Sequence, residues 1–167
     1  MNIKTILFNF NSLSHMFMSL SKFSIFNGSN PSLITYSLGH FFISIAQYFI
    51  KYSKLDYKYL SSSFGIAGHT CLAGFAYILL NKGKLSALNR TFLYSQFGMM
   101  CFYLNNMLTE PPVSLIKKVF FTIVFALLVF YYIYESFETP DFSKYATFLI
   151  GIVYIDLILY INTIGSA

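Results

Sequence analysis

Long apolar stretches separated by short polar segments run through most of the chain. After residue 30 there are five such stretches, and each has about the length that a helix needs to cross the ~30 Å hydrocarbon layer of a membrane. The pattern therefore predicts an all-α integral membrane protein with four or five transmembrane helices. The predicted spans are about 32–51, 62–80, 91–108, 117–134 and 145–164.

The third stretch leaves the number of spans open. Residues 91–108 carry no charge, but they include Gln96, Asn105 and Asn106. Amide side chains are unfavourable against lipid and favourable at contacts between helices. This segment either crosses the membrane while packed against partners or lies partly at the surface.

Residues 1–29 form a separate amphipathic N-terminal segment, and residues 30–167 form one helical transmembrane domain. Apolar residues recur at spacings of three and four from Ile3 to Leu20, which predicts a helix. The segment is basic, rich in Ser and without an acid. It resembles a mitochondrial targeting segment, although it has no Arg. We favour a helix that lies in the membrane interface with its apolar face down.

Composition excludes an ordinary water-soluble domain. Only 10% of the residues are charged and the mean hydropathy is +0.62, whereas soluble domains carry about 25% charged residues. The formal net charge is +5, but the basic residues are scattered over short loops. Nucleic-acid binding needs them gathered on one face, so no nucleic-acid partner is expected.

Motifs of known enzymes are missing from the sequence. It has no P-loop, no H-E-x-x-H, no G-x-S-x-G and no zinc-ligand cluster, so we predict no catalytic residue, no metal site and no enzymatic activity. Cys71 and Cys101 lie in apolar segments and do not form a C-x-x-C pair. We expect both to be buried thiols without a disulfide.

His40 and His69 are the one pair of candidate residues whose relative depth follows from helix geometry. In an antiparallel hairpin of the first two spans they lie within roughly 3 Å of the same depth, at 1.5 Å per residue. Two such histidines are suited to axial ligation of haem b, as in cytochrome b-type membrane subunits. Gly39, Gly65 and Gly68 would either leave room for the macrocycle or allow close helix packing. Packing without a cofactor is the favoured expectation.

Asp156 is the most unusual residue, because it is an acid near the middle of the last span. Intramembrane acids face an interior or a cavity. One hypothesis is a small transporter or channel that uses Asp156 with a polar lining from Gln47, Gln96, Asn105 and Asn106. The favoured alternative is a polar contact between helices, often with a partner subunit, since no second intramembrane acid is present.

Two further sets of residues have predicted roles. Small side chains follow one face of the second span and predict a helix-packing seam, formed by Ser61, Gly65, Gly68 and Ala76. Basic residues flank the spans and are predicted to meet phospholipid headgroups, cardiolipin included. These are Lys51, Lys54, Lys58, Lys117 and Lys118.

The functional expectation is a structural accessory subunit of a mitochondrial inner-membrane respiratory-chain complex. In overall composition the chain resembles the small, divergent accessory membrane subunits of protist respiratory complexes, which implies other membrane subunits and lipids as partners. The alternatives are the haem-binding electron-transfer anchor and the transporter described above. Two glycosylation sequons, at Asn27 and Asn89, leave a secretory-pathway membrane as the alternative location.

Overall fold

Six α-helices make up the computed structural model, which describes residues 3–24, 31–50, 55–83, 86–108, 114–139 and 142–163. The described part contains no strand, so the all-α prediction is confirmed. The helices are α1 (Ile3–Ser24), α2 (Pro31–Ile50), α3 (Leu55–Asn81), α4 (Ala87–Leu108), α5 (Leu115–Glu138) and α6 (Ser143–Thr163).

Helix α3 begins earlier than the sequence pattern indicated. It starts at Leu55, whereas the predicted span started at residue 62 behind a serine cap. No Gly or Pro stands between Leu55 and Ser61 to end a helix, so the helix extends through the expected loop. Ser61 is buried inside α3, and its hydroxyl donates to the Ala46 carbonyl of α2 at 2.9 Å.

Local sequence signals set several of the helix ends. Helix α3 ends at Asn81, and Gly83 adopts the left-handed φ of 76° at which its N–H donates to the Leu80 carbonyl at 3.1 Å. A glycine in this conformation is a common helix end, because it has no Cβ to oppose the left-handed backbone. The Ser114 side chain caps the N-terminus of α5, and the Thr139 N–H caps its C-terminus.

The helices form a closed ring in which each runs antiparallel to its neighbour in the chain. Helix α1 also packs against α6, which closes the ring, and in the described residues no other two helices have packed backbones. Large side chains fill the centre, so the ring is a packed bundle. They include Ile43, Leu72, Phe92, Met99, Tyr103, Phe125, Leu128, Tyr132 and Ile150.

The bundle has polar side chains inside and apolar side chains outside. His15, His40 and His69 are fully buried, whereas every helix exposes large apolar or aromatic residues. An exterior with many exposed apolar side chains, around an interior that also holds polar ones, suits a protein surrounded by lipid. The exposed residues include Leu13, Leu20, Phe41, Tyr48, Tyr77, Tyr94, Phe97, Phe120, Ile123, Phe130, Ile155 and Leu159.

Three of the helices are long and apolar enough to cross a membrane by length and composition. They are Lys58–Asn81, Leu115–Glu138 and Ser143–Asn162. The prediction of four or five spans is therefore wrong by this measure within the described residues. Helices α2 and α4 are not among them within the described residues. Polar residues interrupt the apolar run of α4, namely Gln96, Asn105 and Asn106.

Helix α1 is amphipathic, but its faces are oriented differently from those of an interfacial helix. Ser12, His15 and Ser19 are buried, while Leu13 and Leu20 point outward. An interfacial helix would turn its polar face to water. Here that face packs into the bundle against α2 and α6, so the N-terminal segment contributes a wall of the ring.

Candidate functional site

The two histidines predicted to lie at one depth follow two glycines that touch each other. A Cβ added at Gly68 would lie 2.8 Å from the Gly39 carbonyl oxygen, and one added at Gly39 would lie 3.0 Å from the Gly68 carbonyl oxygen. Because His40 and His69 come directly after these glycines, they lie at the same level of the α2–α3 pair. The close approach of the backbones fixes that level.

His40 is paired with His15 of α1. Their Nδ1 atoms are 2.8 Å apart and their rings stack with centroids at 5.0 Å. One Nδ1 therefore carries the proton and donates a hydrogen bond, and the other Nδ1 accepts that bond. Tyr36 packs on the other side of His40, with ring centroids at 4.4 Å. The contact between His15 and His40 was not predicted from the sequence, although His15 shares a polar helical face with Ser12 and Ser19.

His69 belongs to a second group of buried polar side chains, which links α2, α3 and α4. Its Nδ1 donates to Gln96 Oε1 at 2.7 Å, and its ring lies 5.6 Å from that of Tyr103. Gln47 Nε2 donates to the Tyr103 hydroxyl at 2.9 Å. Buried polar groups that bond to one another in this way hold helices in register.

Haem ligation by His40 and His69 stays a hypothesis. The contact between Gly39 and Gly68 leaves no gap for a flat macrocycle between α2 and α3 at this level. The Nδ1 atoms of both histidines have side-chain partners, but haem iron binds the other ring nitrogen, so this bonding does not oppose ligation. Binding of haem b would require these two helices to separate. In the described residues no group of three or more His, Cys, Asp or Glu side chains is arranged to hold a metal ion.

Asp156 is half-buried near the middle of α6. It lies on the same stripe of the helix as Leu149 and Tyr160, both of which are exposed. No hydrogen bond or ion pair engages its carboxyl group within the described part of the chain. The acid is therefore on the outer side of the bundle, away from the histidines.

The proposed polar lining of a transport path is not assembled around Asp156. Gln47 and Gln96 are buried in the interior and bonded there. Asn105 and Asn106 are half-buried near the end of α4. The transporter hypothesis stays a prediction, but it lacks a common path for these groups.

The small residues of α3 contact two neighbouring helices. Ser61 bonds to α2, and Gly68 touches α2. Gly65 lies under the Tyr103 ring of α4, where an added Cβ would be 2.5 Å from ring atoms. Ala76 is buried in the core.

The basic residues and the cysteines occupy varied environments. Lys51 and Lys54 lie outside the described residues. Lys58 and Lys117 are half-buried at the starts of α3 and α5, where headgroup contact is feasible. Two side chains differ from expectation, since Lys118 is buried at 5% exposure and the Cys101 thiol is exposed on α4.

Comparison with known proteins assigns no family to the chain. No protein-family model, curated protein or solved structure matches it.

Proposed function

We propose that this protein is a structural accessory subunit of a mitochondrial inner-membrane respiratory complex, attached through the outer face of α6. The observation that carries the proposal is the position of Asp156. An acid at the centre of a lipid-facing helix costs about 2.5–3.5 kcal/mol on insertion scales. A hydrogen-bond donor or cation from a neighbouring subunit would offset that cost.

The residues around Asp156 fit a neighbouring helix. We call Tyr145, Leu149, Ile152, Asp156 and Tyr160 the α6 outer stripe, because they recur at spacings of three and four along one side of α6. Apolar and aromatic side chains surround a single acid in this stripe. The matching partner is a transmembrane helix that presents Lys, Arg, His or an amide at the depth of Asp156.

The interior of the bundle supports a structural role. Its histidines and glutamines are bonded to one another or to Tyr103, which suits linking helices. The mitochondrial and respiratory part of the proposal rests on the sequence. Residues 1–29 are basic and acid-free, and the overall composition resembles that of protist accessory subunits.

Helices α2 and α4 are proposed to cross the membrane beside the three apolar helices, which makes five spans. His40, Gln47 and Gln96 are buried in the bundle. Lipid would meet large apolar or aromatic side chains, among them Phe41 and Tyr48 on α2 and Tyr94, Phe97 and Leu104 on α4. Polar residues in multi-span proteins are tolerated when they face neighbouring helices.

Replacing Asp156 with leucine is expected to release the protein from its complex while the bundle stays folded. The substitution removes the one charged group of the α6 outer stripe and leaves the core contacts of α6 unchanged. Native membranes solubilised in mild detergent would be run on a blue-native gel, and the chain would be located by mass spectrometry. The matched control is Ile155→Leu, at an exposed neighbouring position on a different side of α6.

We expect the native chain and the Ile155→Leu control to migrate with a respiratory complex. We expect Asp156→Leu to be lost from that complex. Migration of the native chain as a free ~19 kDa protein or as a small homo-oligomer would contradict the proposal. Co-migration of Asp156→Leu with the complex would refute the role of the α6 outer stripe but leave the subunit assignment standing.

The thiol of Cys101 tests whether α4 crosses the membrane. In sealed native membranes we expect a water-soluble maleimide to leave Cys101 unlabelled in a Cys71→Ser background, because surrounding lipid keeps the water-soluble reagent away from the thiol. Labelling should appear after denaturation in SDS. A Lys82→Cys variant that lacks both native cysteines carries its thiol in an exposed turn and should label without SDS on one side of the membrane. Rapid labelling of Cys101 in intact membranes would show that α4 is exposed to water.

A further inference from the structure

A small cavity opens at the end of the bundle where α5 gives way to α6. Its volume is ≈ 170 Å³, and its walls include Tyr36 of α2, Phe75 of α3, and Tyr131 and Glu135 of α5, with Met18 and Ser143 at its edges. Three aromatic rings and one carboxyl group thus line a single space. Neither Asp156 nor a histidine lines this cavity, although Tyr36 also packs against His40.

The aromatic walls are held in place by their own packing. The Tyr36 and Phe75 rings meet edge to face, with centroids 4.9 Å apart and planes at 64°, so each holds the other in position. Tyr131 is stacked on Phe92 at 4.0 Å, which fixes the third ring. Glu135 follows Tyr131 by one helical turn and lies on the same side of α5.

The chemistry of these walls favours a cation with an apolar surface. The faces of aromatic rings carry negative electrostatic potential and attract ammonium groups, and cages of several rings recognise quaternary ammonium ions in particular. A carboxylate adds a full negative charge. A quaternary ammonium group has no N–H to satisfy, so a cavity lined by aromatic residues can hold it without leaving an unpaired donor.

The size and place of the cavity agree with that chemistry. At roughly 30 Å³ for each water-sized group, the space accommodates about six heavy atoms, which matches a trimethylammonium group with a short carbon stem. Glu135 lies in the last turn of an apolar span, at the level where lipid headgroups meet water. Lys144, beside the Ser143 edge, has its ammonium group over the Tyr145 ring, 5.2 Å from the centroid.

We propose that this cavity binds a quaternary ammonium group of the choline type. Such a group can come from the headgroup of a choline phospholipid or from a free small cation. The site would thus select a zwitterionic lipid or a soluble choline-like molecule, in contrast to the anionic headgroups expected at the lysines.

The first experiment uses the full chain in maltoside detergent and isothermal titration calorimetry. Choline and tetramethylammonium are expected to bind saturably, and 3,3-dimethyl-1-butanol, the uncharged carbon analogue of choline, is expected to bind at least tenfold more weakly. Glu135→Gln and Phe75→Leu should each weaken choline binding about tenfold. Glu138→Gln is the matched control, because it removes an exposed carboxylate of the same helix that does not line the cavity.

The second experiment identifies the source of the cation. The protein would be placed in nanodiscs that contain equal amounts of phosphatidylcholine and phosphatidylglycerol, released, and examined by native mass spectrometry. Retention of phosphatidylcholine that Glu135→Gln abolishes supports a lipid headgroup as the ligand. Choline binding in detergent without retained phosphatidylcholine supports a free cation.

Other results would overturn the proposal. Equal binding of choline and its uncharged analogue would show that charge is not recognised. The absence of both choline binding and phosphatidylcholine retention would show that the cavity does not serve this ligand. Unchanged choline affinity in a folded Glu135→Gln protein would place any binding elsewhere.

Discussion

Substitution of Gly68 by valine is expected to force α2 and α3 apart and to lower the free energy of unfolding by about 3 kcal/mol, the upper part of the usual range for overpacking. Even the first carbon of the new side chain would lie 2.6 Å from a side-chain carbon of Ile43 and 2.8 Å from the Gly39 carbonyl oxygen. The carbonyl belongs to a helix backbone and cannot rotate away. Valine at this position is therefore accommodated only when the whole helix moves.

Thermal unfolding in maltoside, followed by far-UV circular dichroism, would measure the loss. Gly74 provides a matched control in the same helix, because an added Cβ there meets nothing within 4 Å. Gly74→Val should be neutral or slightly stabilising, since valine is a better helix former than glycine by about a few tenths of a kcal/mol. Equal losses at both positions would mean that helix propensity, and not the α2–α3 contact, governs the result.

The His15–His40 pair is expected to behave as a unit in a double-mutant cycle. Each single substitution, His15→Leu or His40→Leu, leaves the remaining imidazole buried without its 2.8 Å partner and should cost about 1–3 kcal/mol. Replacing both rings by leucine removes the orphaned group, so the double variant should lose less than the sum of the two single losses. The coupling free energy should be about 1 kcal/mol or more.

Limited proteolysis adds a second readout for the histidine pair. Because His15 joins α1 to α2, His15→Leu should make α1 more accessible to protease than the rest of the bundle. The control cycle combines His15→Leu with Thr122→Val. Thr122 accepts a hydrogen bond from Asn162 at 3.0 Å between α5 and α6, so these two losses should simply add. Additive losses for His15 and His40 would show that their contact contributes no coupling.

Local signals in the sequence were sufficient for most of the helices. The predicted spans agree closely with four of the observed helices, and Gly83 follows the end of α3. These features depend on neighbouring residues, namely apolar run length and a glycine at a left-handed position. The start of α3 was missed because Lys58 was predicted to flank the span, although no Gly or Pro between Leu55 and Ser61 breaks a helix.

The candidate sites could be predicted only in part. Asp156 and the shared level of His40 and His69 follow from the positions of single residues along helices, so counting residues was enough to single them out. The partners of the histidines did not follow, because His15 and Gln96 lie on other helices. The cavity at Glu135 was also beyond sequence reasoning, since its aromatic walls come from α2, α3 and α5.

By itself, the sequence determined that this protein is helical, apolar and suited to a membrane, because hydrophobicity and helix length are properties of contiguous residues. Only the tertiary structure decided which way each amphipathic face points. The periodicity of α1 separates a polar from an apolar side but is the same whether the polar side meets water or other helices. Closure of the ring between α1 and α6 resolved that choice by turning His15 inward, where it bonds to His40, and leaving Leu13 and Leu20 outside.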